Sequence, residues 1–348
     1  MRGGIVPVDH RSATARLVGL GPLDGLLADP DVSEVMVNGA GPVWVERAGR
    51  LEETSIVVDH GTAEHLVERI VAPLGLRADR TSPMVDARLP DGSRVNAVVE
   101  PIAIDGPCIT IRRFGARPIA LDDLCAPGVA DLLKWAVAVR LNIVVSGGTG
   151  AGKTTLLNAL AACIPEHSRI VTVEDAAELR LSARHVVRLE ARPANADGLG
   201  AVSLRALVRN ALRMRPDRII VGEARGPEAL DVLQAMNTGH EGSLSTCHAN
   251  SPADALRRLE TMVLMGDVAL PLAAVRDQLG AALDLVVHVD RGRAGRRRVV
   301  AVAEVIDGWT GDGPRVRLLG DADRLRDLPS RSARSPHAPP PDTAWLAR

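Results

Sequence analysis

Ser146-Gly147-Gly148-Thr149-Gly150-Ala151-Gly152-Lys153-Thr154-Thr155 is the stretch whose residue types and spacing most clearly suit a reaction, and it fits G-x-x-x-x-G-K-[ST] without a mismatch. Glycines at this spacing let successive backbone N–H groups converge on phosphate oxygens, and the helix that follows, read over Thr155 to Ala161, adds its positive N-terminal end. Lys153 then suits the β- and γ-phosphates of a nucleoside triphosphate, and the Thr154 hydroxyl suits Mg²⁺. The chain contains two lysines, Lys134 and Lys153; every other basic residue is Arg or His. One of the two stands where a compact ammonium on a flexible stem is wanted. The bland alternative is a glycine turn that happens to precede a helix.

Binding a triphosphate does not by itself hydrolyse it. Val173-Glu174-Asp175-Ala176-Ala177-Glu178 places three carboxylates at the end of an expected strand, where open α/β sheets build their sites. Ile219-Ile220-Val221-Gly222-Glu223 does the same at another strand end. Gly222 stands where the second acidic motif of P-loop enzymes carries Asp, which leaves Glu223, or Asp175 or Glu178, to hold Mg²⁺ or its waters. The structural alternative for Glu178 and Glu223 is to cap the helix that follows. His248 closes the stretch Thr238 to Asn250, where it suits contact with a γ-phosphate or an ordinary structural hydrogen bond. His240 and His248 have no third partner at a zinc-site spacing. Arg205, Arg209 and Arg213 lie away from the apolar stripe Leu204, Leu207, Val208, Ala211 and Leu212, with Arg215 just beyond. Such arginines form a solvated face, or a surface that offers an arginine to a neighbouring subunit's nucleotide. The pattern is compatible with either.

The elements that must position these groups read as two domains. Residues 1–16 are expected to be a flexible arm, and 17–114 an α+β domain. That domain has strands at Val32–Val37, Val43–Glu46 and Ile109–Ile111, and a helix from Thr62, taken as its cap, to Val71. Residues 115–122 read as a linker. Residues 123–319 alternate strands and helices around the P-loop, implying a parallel sheet covered on both faces. Strands are expected at Asn142–Val145, Ile170–Val173, Ile219–Val221 and Leu244–Thr246. Helices are expected at Val129–Val139, Leu204–Met214, Pro227–Met236 and Pro252–Met265. Leu283–Asp290 and Val299–Ile306 bracket an arginine-rich tip that reads as a solvated hairpin turn rather than an anion patch. Residues 320–348, rich in Arg, Asp, Ser and Pro, read as a disordered tail.

Composition narrows the class. The net charge of -1 carries no global pull toward nucleic acid or anionic lipid, and with no Tyr and one Phe there are few platforms for base stacking. Cys108, Cys125, Cys163 and Cys247 form no C-x-x-C pair, which argues against a zinc ribbon or disulfide scaffold and suits a reducing cytosol. No apolar run reaches membrane-spanning length, so the expectation is a cytoplasmic protein, at most peripheral to a membrane. No Asn-Lys-x-Asp motif for reading guanine is present.

Several linked motifs, in order, resemble the secretion ATPases of type II and type IV systems, and within them the tight-adherence pilus assembly branch. They are Asp91 to Asn96, Ile111-Arg112-Arg113-Phe114, the P-loop, Val173 to Glu178, Leu212 to Arg218, Gly222-Glu223-Ala224-Arg225 and Thr238 to Asn250. The resemblance runs from about Leu17 to Asp290. It implies a RecA-like ATPase domain behind a smaller N-terminal α+β domain, a homohexamer, ATP and Mg²⁺ as ligands, and ATP held between the two domains. It also implies that Glu178 or Glu223 activates water while the other supports Mg²⁺, that His248 is the histidine-box residue, and that Arg94 and Arg112 close over the phosphates. Arg213, Arg215 and Arg225 become candidates for reaching a neighbour's site. Implied partners are a polytopic inner-membrane platform protein and pilus or secretion components, at the inner face of the cytoplasmic membrane, with no stable nucleic acid. A RecA-like nucleic-acid translocase and a non-hydrolysing assembly module are the alternatives.

Overall fold

The computed structural model describes residues 19–47, 49–113, 119–192, 199–292, 296–310, 313–330 and 341–347. The expected arm at 1–16 lies outside them, as do Phe114 to Pro118 and 293–295 of the hairpin tip. The chain divides into two compact units, Met1–Arg117 and Pro118–Arg348.

The first unit contains α1 (Asp24–Ala28), β1 (Val32–Asn38), β2 (Gly41–Arg47), β3 (Arg50–Val58), α2 (His60–Val71), β4 (Met84–Arg88), β5 (Arg94–Val98) and β6 (Cys108–Arg112). Its six strands form one antiparallel sheet in the order β3-β2-β1-β6-β5-β4. Alternation along β1, β5 and β6 buries Val35, Val37, Val95, Ala97, Ile109 and Ile111. The apolar stripe of α2, Ala63, Leu66, Val67, Ile70 and Val71, belongs to the same core. Helix α2 starts earlier than expected. Asp59, not Thr62, is its cap, accepting a hydrogen bond from the Thr62 N–H at 2.7 Å. A carboxylate three residues upstream reaches an orphan helix N–H more readily than a residue already inside the first turn.

The second unit contains α3 (Pro127–Ala138), β7 (Ile143–Gly147), α4 (Lys153–Ala161), β8 (Ile170–Glu174), β9 (Val186–Glu190), α5 (Leu204–Ala211), β10 (Arg218–Ala224), α6 (Glu228–Asn237), β11 (Leu244–His248), α7 (Pro252–Leu264), α8 (Leu272–Ala282), β12 (Leu285–Arg291), β13 (Arg297–Thr310) and β14 (Gly313–Asp321). They build one sheet in the order β14-β13-β12-β7-β11-β10-β8-β9. Strands β12, β7, β11, β10, β8 and β9 are parallel, and β13 and β14 extend the sheet antiparallel. The pleat sorts the apolar residues. Ile143, Val145, Ile170, Ile220 and Leu244 face the α3 and α4 layer, whereas Val144, Val171, Val173, Ile219, Val221 and Val286 face the α5 to α8 layer. Near-continuous apolar strands are what a doubly covered parallel sheet requires.

A buried asparagine pins the base of the central strand. The Asn142 side chain donates to the carbonyls of Met236 and Ala282 and accepts from the N–H groups of Gly242 and Ser243. Its amide is fully used, so β7, β11 and the ends of α6 and α8 are held in one register. Helix α5 ends at Ala211 rather than Met214, because Arg215 takes a left-handed φ of 54° and turns the chain into β10.

Of the expected tail, 331–340 and 348 lie outside the described residues; 320–330 and 341–347 depart from the expectation of disorder. Leu325 is buried, and Leu328 and Trp345 pack on the α3 and α4 core. The Trp135 and Trp345 rings lie 6.3 Å apart. Arg317 holds the buried Glu304 at 2.6 Å and also bonds Asp327 and the Leu328 carbonyl. A few apolar anchors in a polar, Pro-rich stretch suffice to dock it, which average composition conceals. Leu121, in the stretch read as linker, is likewise buried in this core.

Candidate active site

The sheet order explains how distant motifs converge. Strand β11 lies between the P-loop strand β7 and β10, and β8 follows β10. The C-terminal ends of these four strands therefore carry, side by side, Gly147, His248, Glu223 and Glu174. Gly147 and His248 are direct register partners.

Gly152, with φ of 105°, serves as the N-cap of α4 without a capping side chain. The first N–H groups of that helix are thereby directed at the loop, the arrangement that binds anions. Lys153 Nζ folds over the loop, donating to the carbonyls of Gly147 at 3.2 Å and Gly148 at 2.9 Å. The Thr154 hydroxyl donates to Glu178 Oε2 at 3.3 Å. These two oxygens are the kind of donor set that Mg²⁺ takes. Among the described residues no group of three or more His, Cys, Asp or Glu could hold a metal ion. A cation here thus needs phosphate and water oxygens to complete its shell.

Two side chains that the sequence reading did not single out fix the acidic loop. Glu174 is 2% exposed. Its Oε1 accepts from the N–H groups of Glu178 at 2.8 Å and Leu179 at 2.9 Å. Asn158 of α4 accepts from the Arg180 N–H at 2.8 Å and donates to the Thr154 carbonyl. The loop that presents Glu178 is thus held from β8 and from the P-loop helix together. Burial pushes the Glu174 carboxyl up to about 7, even though the two backbone N–H groups favour the charged form. Its Oε2 is buried without a hydrogen-bond partner. Gly222 has a spatial reason. A Cβ there would stand 2.9 Å from Glu174 Cγ and 3.3 Å from Oε1, so the position of the usual Asp is filled by the Glu174 side chain.

Glu223 accepts from Arg225 Nε at 2.7 Å, and Arg225 also stands 3.9 Å from Asp175. Within this chain, Arg225 is therefore engaged with the acids of its own site. His248 is held below the usual imidazole range, first by burial and then by the positive charge of Lys153, with Glu223 opposing. The P-loop ammonium and the β10 acid thus act on this ring with opposite sign.

Arg94 and Arg112 are register partners on β5 and β6 of the first unit, exposed, with Glu34 3.7 Å from Arg112. Arg213 and Arg215 precede the start of β10, whereas Glu223 is near its end. At about 3.3 Å per residue, the five steps from Arg218 to Glu223 alone span roughly 17 Å. Neither arginine belongs to this chain's own phosphate loop.

The flank of β7 opposite β11 carries a contact that corrects the solvated-turn reading of the hairpin. Arg297 Nη1 donates to the Thr155 hydroxyl at 3.2 Å, and its stem lies against Gly152. Beside it, Ser146 Oγ and His288 Nδ1 are 2.9 Å apart. A run of arginines carries no signal that one of them is folded inward.

A P-loop opening a helix at a central strand, with acids and a histidine on the neighbouring strand ends of a parallel sheet, defines the second unit as a RecA-like P-loop domain. Residues 16–299 match the family described as "Type II/IV secretion system protein". The chain belongs to that family. It is 42% identical over 342 residues to the putative conjugal transfer protein Rv3659c of Mycobacterium tuberculosis, covering 91% of this chain and 95% of the relative. It is 38% identical over 322 residues to the type IV secretion system protein PtlH of Bordetella pertussis, covering 82% and 92%. The ATPase DotB of Yersinia pseudotuberculosis shares its fold, with a TM-score of 0.60 at 19% identity over 83% of this chain and 78% of that one.

Proposed function

We propose that this chain is the ATP-hydrolysing motor of a secretion or tight-adherence pilus assembly system. In this reading it works as a homohexameric ring, peripheral to the inner face of the cytoplasmic membrane. It acts against a polytopic membrane platform protein to assemble pilin or export a substrate. The observation that carries the reading is the convergence of Lys153, Thr154, Glu178, Glu223 and His248 on one phosphate loop, in a chain matched over most of its length by secretion proteins.

The N–H groups of Gly148 to Thr155 and Lys153 Nζ hold the triphosphate of ATP. Mg²⁺ would be held by the Thr154 hydroxyl, with Glu178 or Glu223 acting through water, and would supply neutralisation of phosphate charge. The other glutamate takes a proton from water as it attacks the γ-phosphorus, releasing ADP and inorganic phosphate. His248, neutral and one strand from Gly147, senses the γ-phosphate. Arg213, Arg215 and Arg225 are the candidates for bridging neighbouring copies.

The direct test is Lys153→Ala, made in the chromosome and as purified protein. ATP turnover and the exported filament or substrate should both disappear, with protein abundance unchanged. Export that persists without turnover refutes the motor. Relatives named for conjugal transfer favour a second reading, a nucleic-acid translocase. That reading requires salt-sensitive binding to single-stranded DNA, and an absence of such binding at low salt eliminates it.

A further inference from the structure

We propose that Arg297 is a nucleotide-binding residue, contacting the α-phosphate end that ADP and ATP share. The inference rests on the ATP reading above. It starts from the pleat of the β12–β13 hairpin. Val289 pairs with Val299, and both are buried on the α4 side of the sheet. Two residues further along each strand, Arg291 pairs with Arg297, so both arginines emerge on that same side at the hairpin's outer end.

That point coincides with the phosphate loop. Arg297 Nη1 bonds Thr155 Oγ1 at 3.2 Å, and a Cβ on Gly152 would meet Arg297 Cδ at 2.7 Å. The side-chain stem is thus laid along the loop, with its planar fork at the first turn of α4.

The sheet order decides which part of the nucleotide the fork meets. Thr154 points to Glu178 beyond β8, and His248 and Glu223 end the strands between. These groups mark the γ-phosphate and cation side. Thr155, about 100° further around the helix, faces the opposite flank, where β12 and β13 lie. Loop N–H groups serve the α- and β-phosphates, whereas the lysine serves β and γ. Arg297 therefore meets the end of the phosphate chain remote from the bond that breaks, and sets affinity without entering the chemistry.

The test measures ADP and ATP affinity by titration calorimetry, together with steady-state turnover, on the full chain. Arg297→Ala should raise Kd for both nucleotides by the same factor, about 10- to 100-fold, as for one charge-assisted hydrogen bond. KM should rise in parallel, and kcat should stay within about twofold. Arg297→Lys should recover part of the affinity, because charge returns without the fork. Arg298→Ala, whose side chain pairs with Asp323, is the neighbouring control and should leave both Kd values unchanged. A loss of kcat with Kd unchanged overturns the proposal, as does an effect on ATP but not ADP, or no effect. So does a purely structural outcome, in which thermal stability falls and lysine restores nothing. Should Arg297→Ala fail to fold, Arg297→Lys and Arg297→Gln carry the same comparison. A wild-type chain that binds neither nucleotide would defeat the ATP reading itself, and Lys153→Ala separates that case.

Discussion

Gly222→Ala adds a single methyl group, and its cost can be worked from the site. The new Cβ would lie 2.9 Å from Glu174 Cγ, 3.3 Å from Oε1 and 3.4 Å from Cβ. The first distance is below van der Waals contact, so Glu174 or the β10 backbone must move. Glu174 has little freedom to do so, being 2% exposed with Oε1 fixed by two backbone N–H groups. Overpacking of this kind costs about 1–3 kcal/mol. At about 2–4 °C per kcal/mol for a domain of this size, the melting temperature should fall by roughly 2–12 °C. Turnover should suffer more than stability. Glu174 holds the loop that sets Glu178 3.3 Å from Thr154, and a displacement of about 1 Å at such a site can cost on the order of 100-fold. Calorimetry and a phosphate-release assay read the two effects. The decisive arm is the double variant. Glu174→Ala empties the space, so adding Gly222→Ala to it should cost almost nothing, giving a coupling of about 1–3 kcal/mol between the sites. Additive losses, or a Gly222→Ala variant as stable and active as wild type, would refute the steric account.

Other expectations follow from the same contacts. Because burial raises the Glu174 carboxyl from 4.5 to about 7, the folded state holds this proton more tightly than the unfolded chain. The contribution is favourable below about 4.5 and is lost as pH rises to about 7, an effect on the order of 3 kcal/mol. Glu174→Gln should remove that slope when denaturant midpoints at pH 5 and pH 8 are compared with wild type; an identical slope would exclude Glu174 as its source. Trp345→Ala should lower stability by about 2 kcal/mol through its lost packing against Trp135 and the α3 core, while turnover is retained. An unchanged melting temperature would show that the C-terminal segment does not dock in solution.

What could be read from residue order was whatever is encoded locally. The P-loop is contiguous, and its Lys153 and glycines declare themselves through type and spacing. The strands that carry Glu174 and Glu223 are short apolar runs, and Ser251 and Pro252 announce the start of α7. What could not be read depends on pairing across long separations or on which side of a pleat a residue falls. Glu174 and Glu178 lie in one acidic cluster, yet the first points into the sheet's covered face and becomes the anchor for the loop that presents the second. Gly222 looked like a missing acid because its reason is 48 residues away, in the Glu174 side chain. Arg297 lies 142 residues from Thr155, among arginines whose composition suggests water on every side. Its contact with the loop needs β12 beside β7, β13 beside β12, and a register that places Arg297 past Val299 on the α4 face. Each step is set by backbone pairing rather than by the identity of the arginine. The residues that grip phosphate could therefore be named from spacing alone, whereas those that position the grip depend on the sheet that brings them there.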